Sequence, residues 1–286
     1  MRTKKDDAGR RRDEMPRLRF LRRAADRPPT RLRRGASLLP SLFTMANLFC
    51  GYACVVYAMR GEYETAAPFI GVAIVLDMLD GRIARLTGTS TDFGLQFDSL
   101  ADVISFGIAP AILSFGWGLA PLGRLGWAAG FVFVTAAAMR LARFNIQSQA
   151  GGDKRYFVGM PTPAAAAIPA STVFFYPAAV SDYRAALPVL LMVLVSAVLM
   201  VSTIRFRSFK TIDLQIRRPY TVLLLIAGAI MLITTHPRFV LVALSYAYLA
   251  SAFVGMAVAR FRHRGGRAAS EPGVAPATPT RDGIGL

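Results

Sequence analysis

Residues 77–102 read DMLDGRIARLTGTSTDFGLQFDSLAD, a run that places carboxylates between apolar stretches suited to lipid. Asp77 and Asp80 share one helical face by their spacing, and Asp98 and Asp102 are one turn apart on a following helix. Carboxylates at membrane depth are expensive and mark functional sites. The run therefore predicts a helical hairpin whose four carboxylates converge on one small volume.

The whole chain has the composition of a membrane protein. It has 286 residues, is 54% hydrophobic and carries a formal net charge of +17, with a mean hydropathy of +0.42. High hydropathy and high positive charge coexist where apolar spans have basic cytoplasmic ends. We expect no nucleic-acid partner, because no basic-aromatic module or zinc spacing is present. Cys50 and Cys54 lie four apart in one apolar run, which suits packing better than a disulfide.

Eight apolar runs approach the roughly 20 residues that a bilayer requires. They are about 39–59, 66–86, 98–118, 125–147, 161–181, 185–204, 219–235 and 238–260. With a cytoplasmic N-terminus, all but four of the 34 basic residues fall on the cytoplasmic side, the four being Arg60, Arg124, Arg184 and Arg238. This asymmetry predicts an all-α integral protein of the inner membrane with about eight transmembrane helices, both termini inside and the acidic run facing the cytoplasm.

Three regions follow from this pattern. Residues 1–36 form a basic, largely disordered cytoplasmic tail. Residues 37–262 form the transmembrane domain, which contains the acidic run. Residues 263–286 form a Pro/Gly-rich tail that we also expect to be disordered.

The four carboxylates need a compensating positive charge, because at close range they repel one another strongly. No lysine or histidine is near them in sequence, so divalent cations are the simplest solution. Oxygen-only ligands suit Mg²⁺ or Mn²⁺ better than zinc. Four carboxylates can hold two such ions, an arrangement used for in-line displacement at phosphorus.

The acidic run has a distinctive spacing, D-x2-D-G-x2-A-R-x8-G-x3-D-x3-D. It is filled by Asp77, Asp80, Gly81, Ala84, Arg85, Gly94, Asp98 and Asp102. All eight positions match the signature of the CDP-alcohol phosphotransferase family, which the chain resembles over about its first six spans. The resemblance implies a dimeric membrane enzyme with a six-helix core, here extended by two C-terminal helices. It also implies a metal pair and transfer of a phosphatidyl-type group from a CDP-linked lipid to an alcohol, with release of CMP.

The resemblance also implies roles for individual residues. All four aspartates become metal ligands, with Asp98 bridging the ions and Asp102 doubling as the base that deprotonates the acceptor hydroxyl. The CDP-lipid site is assigned to the small and polar residues around them, Gly81, Ala84, Arg85, Thr91 and Gly94. Thr44 and Asn47 share one face of the first span, and two alternatives stay open for them: contact with the nucleotide, or interhelical hydrogen bonds.

Further stretches resemble the family members whose acceptor is serine. They are residues 37–52, 139–145, 157–167 and 199–210. This resemblance implies CDP-diacylglycerol and L-serine as substrates. A zwitterionic acceptor needs a cation for its carboxylate and acceptors for its ammonium group. We assign the acceptor pocket to Arg140, Arg143, Asn145, Ser208 and Lys210, and favour Arg143 as the partner of the carboxylate.

Two alternative functions remain open. The same chemistry could use another acceptor, namely glycerol 3-phosphate, inositol phosphate or choline. In a different class, a cation transporter could use the acidic cluster as its ion site. The sequence disfavours the transporter, because the acids lie at one membrane face with no matching ionisable groups through the outer half.

Overall fold

The computed structural model describes residues 31–87, 91–149, 156–202, 205–207, 227–228, 231–232 and 234–268. The helices are α1 (Arg31–Met59), α2 (Tyr63–Thr87), α3 (Asp92–Asp102), α4 (Ala109–Ser114), α5 (Arg124–Gln149), α6 (Thr162–Phe175), α7 (Tyr183–Val201) and α8 (Pro237–Ala268). Two short strands are β1 (Tyr156–Val158) and β2 (Arg205–Arg207). Helix α1 thus begins inside the predicted N-terminal tail, and α8 extends into the predicted C-terminal one.

Four helical segments of the described chain are long and apolar enough to cross a bilayer. They are Ser41–Met59, Asp92–Leu122, Arg124–Gln147 and Tyr183–Val201. Helix α6 is apolar but shorter, at 14 residues, and α2 carries ionisable side chains in its final turns. The predicted run 219–235 lies largely outside the described residues. The helical membrane protein is therefore confirmed, whereas the count of eight spans stays a prediction.

The third span is longer than the predicted run 98–118. It starts at Asp92, where Thr91 caps α3, and continues through wider π-helical turns at Val103–Ile108 and Phe115–Leu119 on either side of α4. Such π turns are rare and are enriched near functional sites. Asp98 and Asp102 thus belong to one continuous helical segment, Asp92–Leu122, whereas Asp77 and Asp80 lie on α2.

Small residues bring the helices close together. The buried core is rich in alanine, and Cys50 and Cys54 are free and buried within it, as predicted. A Cβ added to Gly107 would lie 3.3 Å from the Cβ of Ala137, which places the third span directly against α5. In lipid, such close contacts provide much of the packing energy between helices. These small residues of the third and fourth spans therefore pack within the protomer.

Strands β1 and β2 form an antiparallel pair that the all-helical prediction did not include. Tyr156 lies opposite Arg207, and the Met160 amide donates a 3.0 Å hydrogen bond to the Leu199 carbonyl. Gly159, which lies between β1 and Met160, has a φ of +87°, a conformation that glycine adopts without strain. The ribbon and the Met160–Leu199 bond connect the start of α6 to the end of α7.

Candidate active site

A cavity of about 500 Å³ opens where α2, α3 and α5 end. Its walls combine three carboxylates, the partly buried Arg140, the exposed Arg82 and apolar side chains. The lining residues are Asp77, Met78, Gly81, Arg82, Leu95, Asp98, Ser99, Asp102, Arg140, Leu141, Phe144, Asn145 and Pro163. The predicted convergence of the acidic helices is thus present in the structure.

Three of the carboxylates form a tight cluster. Asp77, Asp98 and Asp102 each place an oxygen within 4.8 Å of the other two. Asp98 Oδ1 is buried and has no hydrogen-bond partner among the described residues. An unpaired buried carboxylate oxygen requires compensation, and the donor set is oxygen only. The cluster therefore fits a hard divalent cation such as Mg²⁺ or Mn²⁺.

The fourth carboxylate, Asp80, lies beside this cluster. It is 4% exposed, interacts electrostatically with Asp98 and accepts a 3.1 Å hydrogen bond from Thr44 Oγ1. Asp80 thus contacts the cluster through Asp98 while α1 fixes its other side.

Helix α1 donates hydrogen bonds to two of the four aspartates. Besides the Thr44 contact, Asn47 Nδ2 donates a 3.2 Å hydrogen bond to Asp102 Oδ1. Ser105 Oγ in turn donates a 2.9 Å bond to the Asn47 carbonyl. Of the two alternatives for Thr44 and Asn47, the structure contains the interhelical hydrogen bonds, and both are made to aspartates of the site.

Arg140 supplies a positive charge that the sequence reasoning did not place beside the aspartates. It lines the cavity from α5 and interacts electrostatically with Asp77 and Asp102. One terminal nitrogen donates to Thr162 Oγ1, while the buried Nε has no partner among the described residues. This contact could not be predicted from the sequence, because Arg140 lies far from Asp77 and Asp102 along the chain and approaches them only in the folded protein.

The other predicted acceptor residues differ in position. Asn145 lines the cavity and donates a 2.8 Å hydrogen bond to Ser99 Oγ. Arg143, which the sequence favoured, is not among the lining residues and donates instead to the Val201 carbonyl at 3.4 Å. Ser208 and Lys210 lie outside the described residues.

The predicted CDP-lipid residues also separate into groups. Gly81 lines the cavity, and Ala84 follows it on the last turns of α2 without lining it. Thr91 accepts a 3.0 Å hydrogen bond from the Gly94 amide and so caps α3. A Cβ on Gly94 would lie only 3.0 Å from the Thr91 hydroxyl, so the cap favours glycine there. The side chain of Arg85 lies outside the described part of the chain.

Known proteins resemble this chain strongly. It is 38% identical to a CDP-diacylglycerol--serine O-phosphatidyltransferase of Helicobacter pylori over 186 residues, which cover 63% of this chain and 76% of the relative. It is 37% identical to an archaetidylserine synthase of Methanothermobacter thermautotrophicus over 170 residues, covering 59% and 69% of the two chains. It is 31% identical to a CDP-diacylglycerol--serine O-phosphatidyltransferase of Bacillus subtilis over 127 residues, covering 44% and 70%.

The family assignment rests on more than half of the chain. Residues 37–204, which include α2, α3, α5, α6 and α7 and therefore the whole carboxylate cluster, match the model of one family. The chain belongs to the CDP-alcohol phosphatidyltransferase family.

Proposed function

We propose that the protein transfers the phosphatidyl group of CDP-diacylglycerol to the hydroxyl of L-serine, giving phosphatidylserine and CMP. The observation that carries the proposal is a single cavity that joins a three-carboxylate cluster to the partly buried guanidinium of Arg140. The cluster suits a diphosphate held through cations, and the arginine suits a carboxylate-bearing acceptor. Relatives that bear the names of serine-specific transferases support the choice of acceptor.

The aspartates would hold two divalent cations, Mg²⁺ or Mn²⁺. Asp77, Asp98 and Asp102 supply the cluster, and Asp80 completes the set from beside it. Such cations, when bound, neutralise the diphosphate and the charge that develops on the leaving CMP. Thr44 keeps Asp80 oriented, so the ligand set does not have to rearrange when the substrate binds.

Asp102 is the base of this reaction. Its Oδ1 accepts the hydrogen bond from Asn47, which leaves Oδ2 as the oxygen available to the cavity. The serine hydroxyl loses its proton to that carboxylate as its oxygen bonds to the β-phosphorus of CDP-diacylglycerol. The bond from the β-phosphorus to the bridging oxygen breaks, and CMP leaves with that oxygen and its electron pair.

Arg140 would bind the serine carboxylate through its forked donors. It is favoured over Arg143 because it lines the cavity, whereas Arg143 donates to the Val201 carbonyl. Asn145 lines the same wall and carries an amide oxygen of the kind an ammonium group requires. Gly81 leaves space beside α2 for the CDP group, and Arg85, Thr91 and Gly94 remain assigned to the CDP-lipid by the family pattern.

The setting of the enzyme is part of the proposal. The distribution of basic residues supports a cavity at the cytoplasmic face of the inner membrane, where CDP-diacylglycerol can keep its acyl chains in the bilayer. We propose a homodimer, as the family pattern implies.

The test is CMP release by the purified protein in detergent, with CDP-diacylglycerol, Mg²⁺ or Mn²⁺, and one labelled alcohol at a time. We expect release that requires both the metal and L-serine, with the serine label in the lipid product. Incorporation of glycerol 3-phosphate, inositol phosphate or choline without serine would keep the chemistry and reject the acceptor. Cation flux across sealed vesicles without CMP release would favour the transporter.

A further inference from the structure

Ser99 lies on α3 directly after Asp98 and lines the same cavity as the carboxylates. In the family spacing it falls among the three unspecified positions between Asp98 and Asp102, so the motif gives it no role. Its side chain is partly buried and hydrogen-bonds to two other residues. Ser99 is therefore a polar group of the cavity wall that the proposed reaction does not use.

The Ser99 hydroxyl uses its one proton within its own helix. Ser99 Oγ donates a 3.0 Å hydrogen bond to the carbonyl of Leu95, one turn earlier on α3. Serine hydroxyls in helices can bond in this way to the carbonyl four residues back. A carbonyl oxygen only accepts, so the proton of Ser99 lies on this bond. The hydroxyl oxygen therefore has only lone pairs to offer to a further partner.

That further partner is Asn145, in the last turns of α5. Asn145 Nδ2 donates a 2.8 Å hydrogen bond to Ser99 Oγ. Because Ser99 Oγ only accepts at this contact, the nitrogen end of the amide must face it; the reversed amide would bring two acceptor oxygens together. The hydrogen-bond network thus determines the orientation of the amide, with Nδ2 toward Ser99 and Oδ1 at the other end.

The orientation of this amide matters for the charge of the group that binds beside it. Asn145 lines the cavity together with Arg140, which offers a cation to the carboxylate of the acceptor. The ammonium group of the same acceptor requires oxygen atoms. An amide oxygen has two lone pairs, so it can accept from an ammonium in addition to any other donor. A reversed amide would instead present N–H donors to a cation.

We propose that Ser99 is a positioning residue that fixes the amide of Asn145 with its oxygen toward the ammonium group of the acceptor, and so makes the site selective for an amine-bearing alcohol. The inference rests on the proposed function, since it assumes that L-serine binds in this cavity with its carboxylate at Arg140. Ser99 acts through Asn145 rather than through the substrate.

The experiment compares the wild-type, full-length protein with Ser99→Ala, which removes the hydroxyl, and Ser99→Thr, which keeps it. The matched control is Ser114→Ala. Ser114 donates a 2.6 Å hydrogen bond to the Pro110 carbonyl, the same type of bond in the same helical segment, but it does not line the cavity. Each protein is assayed for kcat, for the KM of L-serine and of CDP-diacylglycerol, and for Mn²⁺ affinity. 3-Hydroxypropionate, which is serine without its amine, is tested as a competitor of L-serine.

We expect Ser99→Ala to raise the KM for L-serine roughly threefold to tenfold, as loss of one hydrogen bond does. Mn²⁺ affinity, the KM for CDP-diacylglycerol and the inhibition constant of 3-hydroxypropionate should not change, because none of them depends on the ammonium group. Ser99→Thr should keep the serine KM closer to wild type than Ser99→Ala does, and Ser114→Ala should change none of these values. In a double-mutant cycle, Ser99→Ala should add no further increase in serine KM to Asn145→Ala.

Three results would overturn the inference. An unchanged serine KM in Ser99→Ala would show that the hydroxyl does not affect the acceptor. A full additional increase in the Asn145→Ala background would show that Ser99 does not act through Asn145. An equal loss of Mn²⁺ affinity, or an equal weakening of 3-hydroxypropionate, would indicate that Ser99 only supports the structure of α3. Failure of the proposed function is distinguishable from all three, because it appears in the wild-type protein as absence of serine-dependent CMP release.

Discussion

Asn47 of α1 donates a 3.2 Å hydrogen bond to Asp102 of α3, across a separation of 55 positions in the sequence. Both residues are buried, and Ser105 holds the backbone of Asn47 in place through its carbonyl. The bond makes the two oxygens of Asp102 different: Oδ1 is held by an amide, and Oδ2 is left for the cavity. Asn47 of helix α1 therefore orients the carboxylate of Asp102, which belongs to helix α3.

Asn47→Ala should lower kcat by roughly tenfold to a hundredfold, the usual effect of removing the partner that orients a ligating carboxylate. The physical reason is that Asp102 can then rotate within the cluster. The measurement is CMP release with saturating substrates. Met45→Ala, at an exposed position of the same helix, is the control and should keep wild-type kcat. A wild-type kcat in Asn47→Ala would show that Asp102 does not depend on this bond.

Asp98→Asn should abolish turnover and weaken Mn²⁺ binding while the protein stays folded. Asp98 shares the cluster with Asp77 and Asp102 and has a buried oxygen without a hydrogen-bond partner among the described residues. Binding is followed by the electron paramagnetic resonance signal of free Mn²⁺ in a titration. Asp92→Asn removes an exposed carboxylate from the start of the same helix and should bind Mn²⁺ as wild type does. Equal affinity in the two variants would remove Asp98 from the ligand set.

Asp102→Asn should reduce kcat far more than it reduces the affinity for CDP-diacylglycerol. An amide keeps the shape of the side chain but cannot take the proton of the acceptor hydroxyl. Binding of CDP-diacylglycerol in the absence of serine gives the affinity, and single-turnover CMP release gives the rate. Near-normal turnover would disprove the role of Asp102 as the base.

Arg140→Lys should raise the KM for L-serine about tenfold or more, because a lysine ammonium does not reproduce the two parallel donors of a guanidinium. Arg143→Lys is the matched comparison on the same helix and should change that KM little, since Arg143 contacts the Val201 carbonyl. Steady-state kinetics with varied serine decide between them. A larger effect at Arg143 would restore the assignment that the sequence alone favoured.

The acidic helices could be predicted from the sequence because their chemistry is local. Asp77 and Asp80 are fixed relative to each other by helical geometry, as are Asp98 and Asp102, and one short loop brings the two pairs together. The role of Arg140 could not be predicted in this way. Its approach to Asp77 depends on how α5 packs against the third span, which is decided by contacts such as Gly107 against Ala137.

The choice between Arg140 and Arg143 shows the same limit. The two residues are three apart and both lie in the last turns of α5, so composition and predicted topology do not distinguish them. The helix places Arg140 in the cavity and brings Arg143 to the end of α7. The pairing of β1 with β2 was also missed, because three-residue strands carry too little alternation to be recognised.

The crossing of α1 and the third span gives a stability prediction. A Cβ added at Gly51 would lie 2.5 Å from Ser105 Oγ and 2.8 Å from Ser105 Cα. The second contact is with backbone, so the helices must separate. Gly51→Ala should therefore destabilise the protein by about 1–3 kcal/mol, the typical cost of overpacking, and should also reduce kcat because Ser105 supports Asn47.

Gly71→Ala is the matched control for this change. Gly71 lies within α2, and a Cβ there would meet nothing within 4 Å. Helix propensity then dominates, and alanine should stabilise by up to about 1 kcal/mol. Thermal unfolding in detergent, followed by circular dichroism together with CMP release, measures both effects. Opposite shifts of the two midpoints support the close crossing at Gly51; a Gly51→Ala protein as stable as Gly71→Ala would mean that α1 and the third span are farther apart.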